Sequence, residues 1–338
     1  MAKEKIFAFI SYIVIAFLAY RNCFGIQIPA DDYGAFWMFD TMGAKGMLHY
    51  FHLVGPYLFS IPAHFILFKL FGTAPFAWIG LSVLLHGLNA FLVFRISSYV
   101  QRSFLETENS WISFFAGLLF LLSPYQTEAV IWQPAALEIM LSASFSLLAA
   151  FFLFRYLHSH RNTDLLLLHL SFLLAVFSYE SSLFFPAIGI LSFVFLRKKS
   201  GALSQELFVK KILFPQVGFI AAYFISCKLF YGQWIWHGDT TLSTSPLLYT
   251  GTLLKYFAKF FLLYRYLPLE NLDASLRNFY SHSALLFPAF IAVAALLSAL
   301  IYFLRKRKET AFLLFLFLCF LVSLIPVLPL DSSFLKYI

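Results

Sequence analysis

Two glutamates stand in a short polar stretch between long apolar runs. The stretch "SPYQTEAVIWQPAALEIM" covers residues 123–140 and carries Glu128 and Glu138. A charge within hydrocarbon costs about 2.5–3.5 kcal/mol even on permissive insertion scales, so acids at helix ends usually face water, a partner or a substrate. Because Pro134 breaks the segment, we expect the two acids to line an outward-facing polar cavity from separate turns.

Three further acids are candidates for the same cavity: Asp31 and Asp32 in "IPADDYGAF", and Glu180 in "FSYESSLFFP". Of two neighbouring acids, one can act as a base, because like charge and partial burial raise its pKa toward working pH. Either carboxylate could also hold a divalent cation. A structural role is the alternative, since acids in the first turn of a helix stabilise it by capping and through its dipole. The residues alone leave both roles open.

Cations that could bind an anionic group are Arg265, Arg277 and Lys336, with His52 as a further polar candidate. The three cations fall on the predicted outer side, against the usual bias of basic residues toward the cytoplasm. A charge-assisted hydrogen bond to a phosphate contributes about 1.5–3 kcal/mol. The histidines and the three cysteines show no metal or disulfide spacing. We therefore predict no metal site from spacing and leave a divalent cation at the acids open.

The elements that must position these residues are membrane helices. Of the 338 residues 61% are hydrophobic and 12% charged, whereas a soluble domain is about half apolar and a quarter charged. Apolar runs of roughly 17–25 residues, long enough to cross a bilayer, recur along the chain. They do not alternate as barrel strands do. The basic residues behind the net charge of +8 cluster between apolar runs, which indicates membrane topology and not nucleic-acid binding.

The predicted fold is an all-α polytopic membrane bundle forming a single domain over 1–338, with external loops at 26–51 and 123–138. Basic clusters placed inside give about nine crossings, with the N-terminus cytoplasmic and the C-terminus outside. Segments 52–72 and 253–273 are then interfacial or re-entrant helices, although hydropathy alone counts them as two more crossings. The chain has no Asn-x-Ser/Thr site, which fits a bacterial inner membrane. Helices are predicted at about 6–25, 76–95, 111–123, 139–157, 164–178, 182–197, 211–230, 284–304 and 310–329.

Several segments together resemble one enzyme family. "LSPYQTEAVIW" followed by "ALEIM" is similar to the "HPVHTEAV" to "GRADLL" signature of the transmembrane and tetratricopeptide-repeat O-mannosyltransferases and their bacterial relatives, among the class C glycosyltransferases. The run "LFGTAPFAWIGLSVLLHGLNAFLVFRI" resembles the family helix that carries a histidine and an asparagine, here His86 and Asn89. "SYESSLFFPAIGILSFVFLRK" places Glu180 on a family acid, and "IPADDYGAF" fits the acidic motif of the first external loop.

The resemblance implies a transferase that takes a sugar from a polyprenyl-phosphate donor and gives it, with inversion, to a protein, glycan or lipid acceptor. By analogy Asp31 or Asp32 is the catalytic base. Glu128, Glu138, Glu180 and His52 would bind substrate, and the cations Arg265, Arg277 and Lys336 would neutralise the leaving phosphate. Membrane lipids are further expected partners.

The sequence departs from the family pattern where the family carries positive charge. Ala136 replaces the arginine of "GRAD", the arginine of "YRPL" has no match in "VGPYLF", and "SFLKYI" leaves Lys336 as a displaced cation. The repeat domain of the family is also absent from this sequence. A lipid or glycolipid transporter and a catalytically silent scaffold are therefore the alternatives. Transporters often contain internal repeats, and their absence here favours the enzyme.

Overall fold

A computed structural model gives the positions of the helices and of most side chains in the first two thirds of the chain. It describes residues 2–26, 30–106, 109–123, 127–132, 135–196, 203–232, 234, 315–316 and 318–319. The chain divides into two compact units, Met1–Trp236 and His237–Ile338. In the second unit, residues 315–316 and 318–319 are helical. The predicted segments 253–273 and 284–304 lie outside the described residues, as does most of 310–329.

The described part of the chain is helical and contains no strand, which confirms the predicted all-α class. The predicted helices between residues 76 and 230 coincide with observed ones. The helices are α1 (Ala2–Ala19), α2 (Ala30–Met42), α3 (Ala44–Val54), α4 (Ser60–Phe71), α5 (Pro75–Val100), α6 (Ser110–Leu121), α7 (Thr127–Ile131), α8 (Ala135–Ser159), α9 (Asn162–Val176), α10 (Phe185–Leu196), α11 (Gln205–Phe208) and α12 (Phe214–Tyr231).

Three segments among the described residues are long and apolar enough to cross a membrane: Pro75–Phe104, Ala136–Ser159 and Gln205–Tyr231. The first and third continue through π-helical turns, at Gln101–Leu105 and Val209–Leu213. Shorter apolar helices lie between them. This arrangement supports membrane association, while the count of about nine crossings stays a prediction.

The polar connections contain more helix than the sequence suggested. The predicted external loop 26–51 holds α2 and most of α3, joined at Gly43, whose φ of 58° is favourable for glycine. The predicted loop 123–138 holds α7 and the start of α8. Conversely α1, predicted to reach residue 25, ends at Ala19 and is followed by a short 3-10 turn. Asn22 and Gly25 follow that end, and both residue types have low helix propensity.

The segment predicted not to cross, 52–72, contains α4, which has 12 residues. A helix of that length extends about 18 Å, whereas the hydrocarbon core is about 30 Å thick. The helices α6 and α10, which are predicted to cross, have the same length, so length does not distinguish the two cases. The position of α4 relative to a membrane stays a prediction.

Buried polar side chains fix α8 against its neighbours. The Asn89 amide donates from Nδ2 to the Met140 carbonyl at 3.3 Å, and the Ser144 hydroxyl donates to Asn89 Oδ1 at 2.7 Å. His86 donates from Nε2 to the Leu121 carbonyl at 3.0 Å. Buried amides and imidazoles require such partners. The His86 and Asn89 pair that resembles the family motif thus connects α5 to α6 and α8, and it helps to place the first turns of α8.

Candidate functional site

The turn between α9 and α10 carries Glu180 and is held by side chains from two other helices. Ser60, at the start of α4, donates to the Ser178 carbonyl at 3.1 Å. Ser142, in the second turn of α8, donates to the Tyr179 carbonyl at 3.3 Å. Glu180 then begins a short 3-10 helix that leads into α10. The three helices α4, α8 and α9 therefore determine where this carboxylate lies.

Tyr57 contacts Glu180 directly. Its hydroxyl donates a hydrogen bond to Glu180 Oε2, and its ring centroid lies 5.6 Å from that of Tyr179. Tyr57 is buried, and it follows Gly55, whose φ of 127° is a conformation that side chains rarely permit. A hydrogen bond from a hydroxyl to a carboxylate is among the stronger ones in proteins. The backbone turn before α4 thus brings a phenol donor to the acid.

Glu138 joins this group from α8. It lies in the first turn of the helix and is 5% exposed. Ser142 follows it by one turn, so the two share a helix face, and Ser142 contacts the turn that carries Glu180. Burial raises the pKa of Tyr57 and of Tyr179 above the ordinary value, and the charges of Glu180 and Glu138 raise both further. We call Tyr57, Glu138, Tyr179 and Glu180 the acidic cluster.

The chemistry available to the acidic cluster follows from its side chains. The phenols stay protonated, because burial and the acids oppose ionisation, so they are hydrogen-bond donors. Carboxylate oxygens accept hydrogen bonds and phenol hydroxyls donate them, which suits a ligand rich in hydroxyl groups. Two neighbouring carboxylates repel an anion. The cluster is therefore suited to a polyhydroxylated or cationic ligand and unsuited to a phosphate.

The helix that carries Asp31 and Asp32 packs near the start of α8. Both aspartates lie in the first turn of α2. Ala35 and Phe36, one turn later, belong to the same buried cluster as Leu137, which precedes Glu138. The side chains of Asp31 and Asp32 lie outside the described set, so their predicted place in a cavity with the glutamates stays a prediction.

The other predicted site residues fall in different places. Glu128 lies on α7 and Glu138 on α8. Because the side chain of Glu128 is not described, the predicted cavity lined by both acids stays a prediction. His52 is exposed near the end of α3, with its ring centroid 6.4 Å from that of Tyr231 on α12. Its observed ring contact is thus with α12 and not with the acidic cluster. Arg265, Arg277 and Lys336 lie outside the described residues.

Tyr57 and Tyr179 are not among the site residues predicted from the sequence. Tyr179 directly precedes Glu180. Tyr57 lies in "VGPYLF", the segment in which this sequence lacks the arginine of the pattern that it resembles. The hydrogen bond between Tyr57 and Glu180 joins positions 123 residues apart. Tyr179 could have been predicted because it is adjacent to Glu180 in the sequence. Nothing in the sequence pairs Tyr57 with Glu180.

Within the described ranges, no group of three or more His, Cys, Asp or Glu side chains could hold a metal ion. A divalent cation that involves Asp31, Asp32 or Glu128 stays a prediction, because those side chains are outside that set.

Comparison with known proteins gives no relative: no protein family model, curated protein or solved structure matches the chain.

Proposed function

We propose that the protein is an integral membrane glycosyltransferase that moves a sugar from a polyprenyl-phosphate donor to an acceptor hydroxyl. The observation that carries the proposal is the convergence of Glu138, Glu180 and the two phenols at the start of α8. The helix that bears Asp31 and Asp32 contributes to the same buried cluster as Leu137 at this end of α8. The chain resembles class C glycosyltransferases in the same acidic segments. That resemblance suggests which reaction the acids would serve, namely sugar transfer.

The proposed reaction is a single displacement. The acceptor oxygen attacks the anomeric carbon, and the bond between that carbon and the phosphate oxygen breaks as the new bond forms. The bond electrons leave with polyprenyl phosphate, and the acceptor proton passes to the carboxylate of Asp31 or Asp32. Attack opposite the leaving group inverts the anomeric configuration.

The acidic cluster would bind the sugar or acceptor hydroxyls. Glu138 and Glu180 accept hydrogen bonds from hydroxyl groups, and the protonated phenols donate to them. Such positioning lowers the entropic cost of bringing the two substrates together. Because two carboxylates repel a phosphate, the leaving group needs cations from elsewhere. The candidates remain Arg265, Arg277 and Lys336.

The proposed orientation places this end of the bundle on the outer face of a bacterial inner membrane, with the N-terminus in the cytoplasm and about nine crossings. The orientation follows from the basic clusters of the sequence. It would expose the acidic cluster to the outer leaflet.

The test is transfer of label from a panel of radiolabelled polyprenyl-phosphate sugars by the purified protein. The Asp31→Asn/Asp32→Asn double variant should lose at least about a hundredfold in rate, because a general base contributes roughly 10²–10⁴-fold. Asp40→Asn is the matched control, since Asp40 is exposed on the same helix and further from its start. Equal transfer by all three proteins would overturn the base assignment.

The same panel distinguishes the alternatives. A lipid that binds without transfer, and that crosses the bilayer of reconstituted vesicles faster with protein than without it, would indicate a transporter. Binding with neither transfer nor transport would indicate a silent scaffold.

A further inference from the structure

The end of α8 opposite to the acidic cluster carries a group of positive charges. Arg155 follows Glu138 by 17 residues on this helix, which corresponds to about 25 Å along the axis. Arg155 Nη2 pairs with Asp164 Oδ1 at 3.0 Å, and Ser159 donates to the other carboxylate oxygen at 3.0 Å. Asp164 is 1% exposed. Both oxygens of this buried acid are therefore engaged within the α8–α9 corner.

A second arginine stands beside this pair without an anion of its own. The guanidinium carbon of Arg95 lies 5.4 Å from the ring centre of Phe151 and 5.8 Å from that of Phe91. The guanidinium of Arg155 lies 5.7 Å from the same Phe151 ring. Among the described residues, Arg95 has neither a carboxylate within ion-pair distance nor a hydrogen-bond acceptor. Two guanidinium groups thus contact one aromatic ring, and of the two only Arg155 is paired with Asp164.

This arrangement is unfavourable without a counter-anion. Arg95 is half-buried within the apolar segment Pro75–Phe104, and Arg155 lies within Ala136–Ser159. Positive charges in such segments are costly unless they are paired, and those found there usually mark a site of function. The two aromatic contacts hold the Arg95 guanidinium in place, so less freedom is lost when it binds a ligand. A planar guanidinium presents paired donors that match the oxygens of a phosphate.

The position of Arg95 indicates where the anion would come from. Arg95 lies in the last turns of α5, whose helix continues through the π-helical turn that follows Val100. The ends of membrane helices lie near lipid headgroups, and basic pockets between helices there bind anionic lipids.

We propose that Arg95, with Arg155 beside it, binds the phosphate group of an anionic phospholipid at the end of the bundle opposite to the acidic cluster. The site does not depend on the proposed transfer reaction. The distance along α8 separates it from any donor phosphate that reacts near Glu138. In this assignment Phe91 and Phe151 orient the guanidinium, and Arg155 supplies a second positive charge while it remains paired with Asp164.

The test is native mass spectrometry of the full-length protein in neutral detergent, with phosphatidylglycerol and phosphatidylcholine added separately. The wild type should retain phosphatidylglycerol preferentially. Arg95→Gln should weaken that preference by about tenfold, the effect of losing a charge-assisted hydrogen bond. Arg21→Gln is the matched control, because Arg21 is an exposed arginine outside this group, and it should behave as wild type. An unchanged preference in Arg95→Gln would overturn the proposal.

Two further measurements cover the other outcomes. If Arg95→Gln does not fold, Phe151→Leu removes the aromatic contact and keeps the charge, and it should reduce the preference by a few fold, the scale of a cation–π contact. A wild-type preference in Phe151→Leu would then count against the site. Inorganic phosphate is the second probe. If it binds with the same dependence on Arg95 while phosphatidylglycerol shows no preference, the phosphate chemistry stands and the lipid source is wrong.

Discussion

The hydroxyl of Tyr57 and the carboxylate of Glu180 form the contact on which the acidic cluster depends. Tyr57→Phe removes the phenol donor and changes little else, because the ring that packs beside Tyr179 is kept. We expect a loss of about 1–3 kcal/mol in the free energy of unfolding, the cost of leaving a partly buried acceptor without its donor. Thermal unfolding in detergent, followed by tryptophan fluorescence, measures it.

The control for that variant is Tyr33→Phe, because Tyr33 is 45% exposed and its hydroxyl makes no hydrogen bond to any residue that the structure describes. Equal unfolding temperatures for the two variants would show that the contact with Glu180 contributes nothing to stability.

The two phenols also predict how stability depends on alkaline pH. Burial, with the charges of Glu180 and Glu138, raises the pKa of Tyr57 and Tyr179 in the folded protein, whereas unfolded tyrosines titrate near about pH 10. The folded state therefore keeps protons that the unfolded state releases. This contribution is complete below about pH 10 and declines above it, by about 1.4 kcal/mol per pH unit for each phenol.

The measurement for this prediction is the unfolding temperature between pH 8 and about pH 11.5. The wild type should lose more above pH 10 than Tyr57→Phe/Tyr179→Phe, and subtraction of the two curves cancels other titrating groups. Parallel curves would contradict the raised pKa values.

At the scale of single residues, the sequence predicted two of the four residues of the acidic cluster as candidates. Glu138 and Glu180 could be predicted because an acid between apolar runs needs a reason to be there. Tyr57 could not be predicted, because tyrosine is common both in apolar cores and at membrane interfaces. Its partner lies 123 residues away, and no local pattern reports such a pairing.

Helix contacts depend on small residues at specific places. Gly117 on α6 faces α1 and α5, and a Cβ there would lie 2.5 Å from Tyr12 Oη and 2.7 Å from the Ala90 carbonyl oxygen. The Tyr12 hydroxyl itself donates to the Phe114 carbonyl at 2.8 Å. Gly117→Ala should therefore destabilise the protein by about 1–3 kcal/mol, the range for overpacking, and thermal unfolding in detergent measures it.

Gly218 offers a matched comparison on α12. A Cβ at that position meets no atom within 4 Å, so Gly218→Ala should be neutral or stabilising by up to about 1 kcal/mol through helix propensity. If Gly117→Ala were as stable as Gly218→Ala, the close contact of α1, α5 and α6 would be wrong.

The sequence predicted the existence of helices better than their details. Apolar runs gave α5, α6, α8 and α9 close to their observed positions. The π-helical turn Val209–Leu213 carries no comparable signal, because its extra residue is stabilised from outside: His169 on α9 donates to the Lys211 carbonyl at 2.8 Å. Tertiary contacts of this kind determine where a helix departs from regular geometry.

The first unit, Met1–Trp236, has two chemically different groups of residues, one at each end of α8. Acids and phenols gather at the start of α8, while Arg95, Arg155 and the buried Asp164 lie around its end. The basic clusters predict that the second end faces the cytoplasm. In a cysteine-free background, Arg21→Cys should react with an impermeant maleimide in sealed right-side-out vesicles, since its position is exposed and predicted to lie outside.

His160→Cys is the paired variant for that labelling. His160 is exposed in the turn between α8 and α9 and is predicted to lie inside, so it should react only after the vesicles are opened. The reverse pattern would invert the proposed topology and place the acidic cluster on the cytoplasmic face.

At the scale of the molecule, composition and the long apolar runs predicted a helical membrane protein. The described residues are helical, and three of their segments are long and apolar enough to cross a membrane. The sides assigned to the basic clusters predicted that segment 52–72 does not cross. That stays a prediction, because α4 is no shorter than α6 and α10. Neither property predicts which helices touch. The convergence of α4, α8 and α9 on Glu180 results from side-chain packing over long sequence separations.

The most direct test of the central claim is the initial rate of sugar transfer by Glu138→Gln/Glu180→Gln beside wild type, with an active donor from the panel. Both changes keep the size of the side chain and remove its charge. If the acidic cluster binds the reacting hydroxyl groups, kcat/KM should fall by about a hundredfold, two charge-assisted hydrogen bonds being lost. Transfer at the wild-type rate by a folded double variant would contradict the account and place the chemistry elsewhere in the chain.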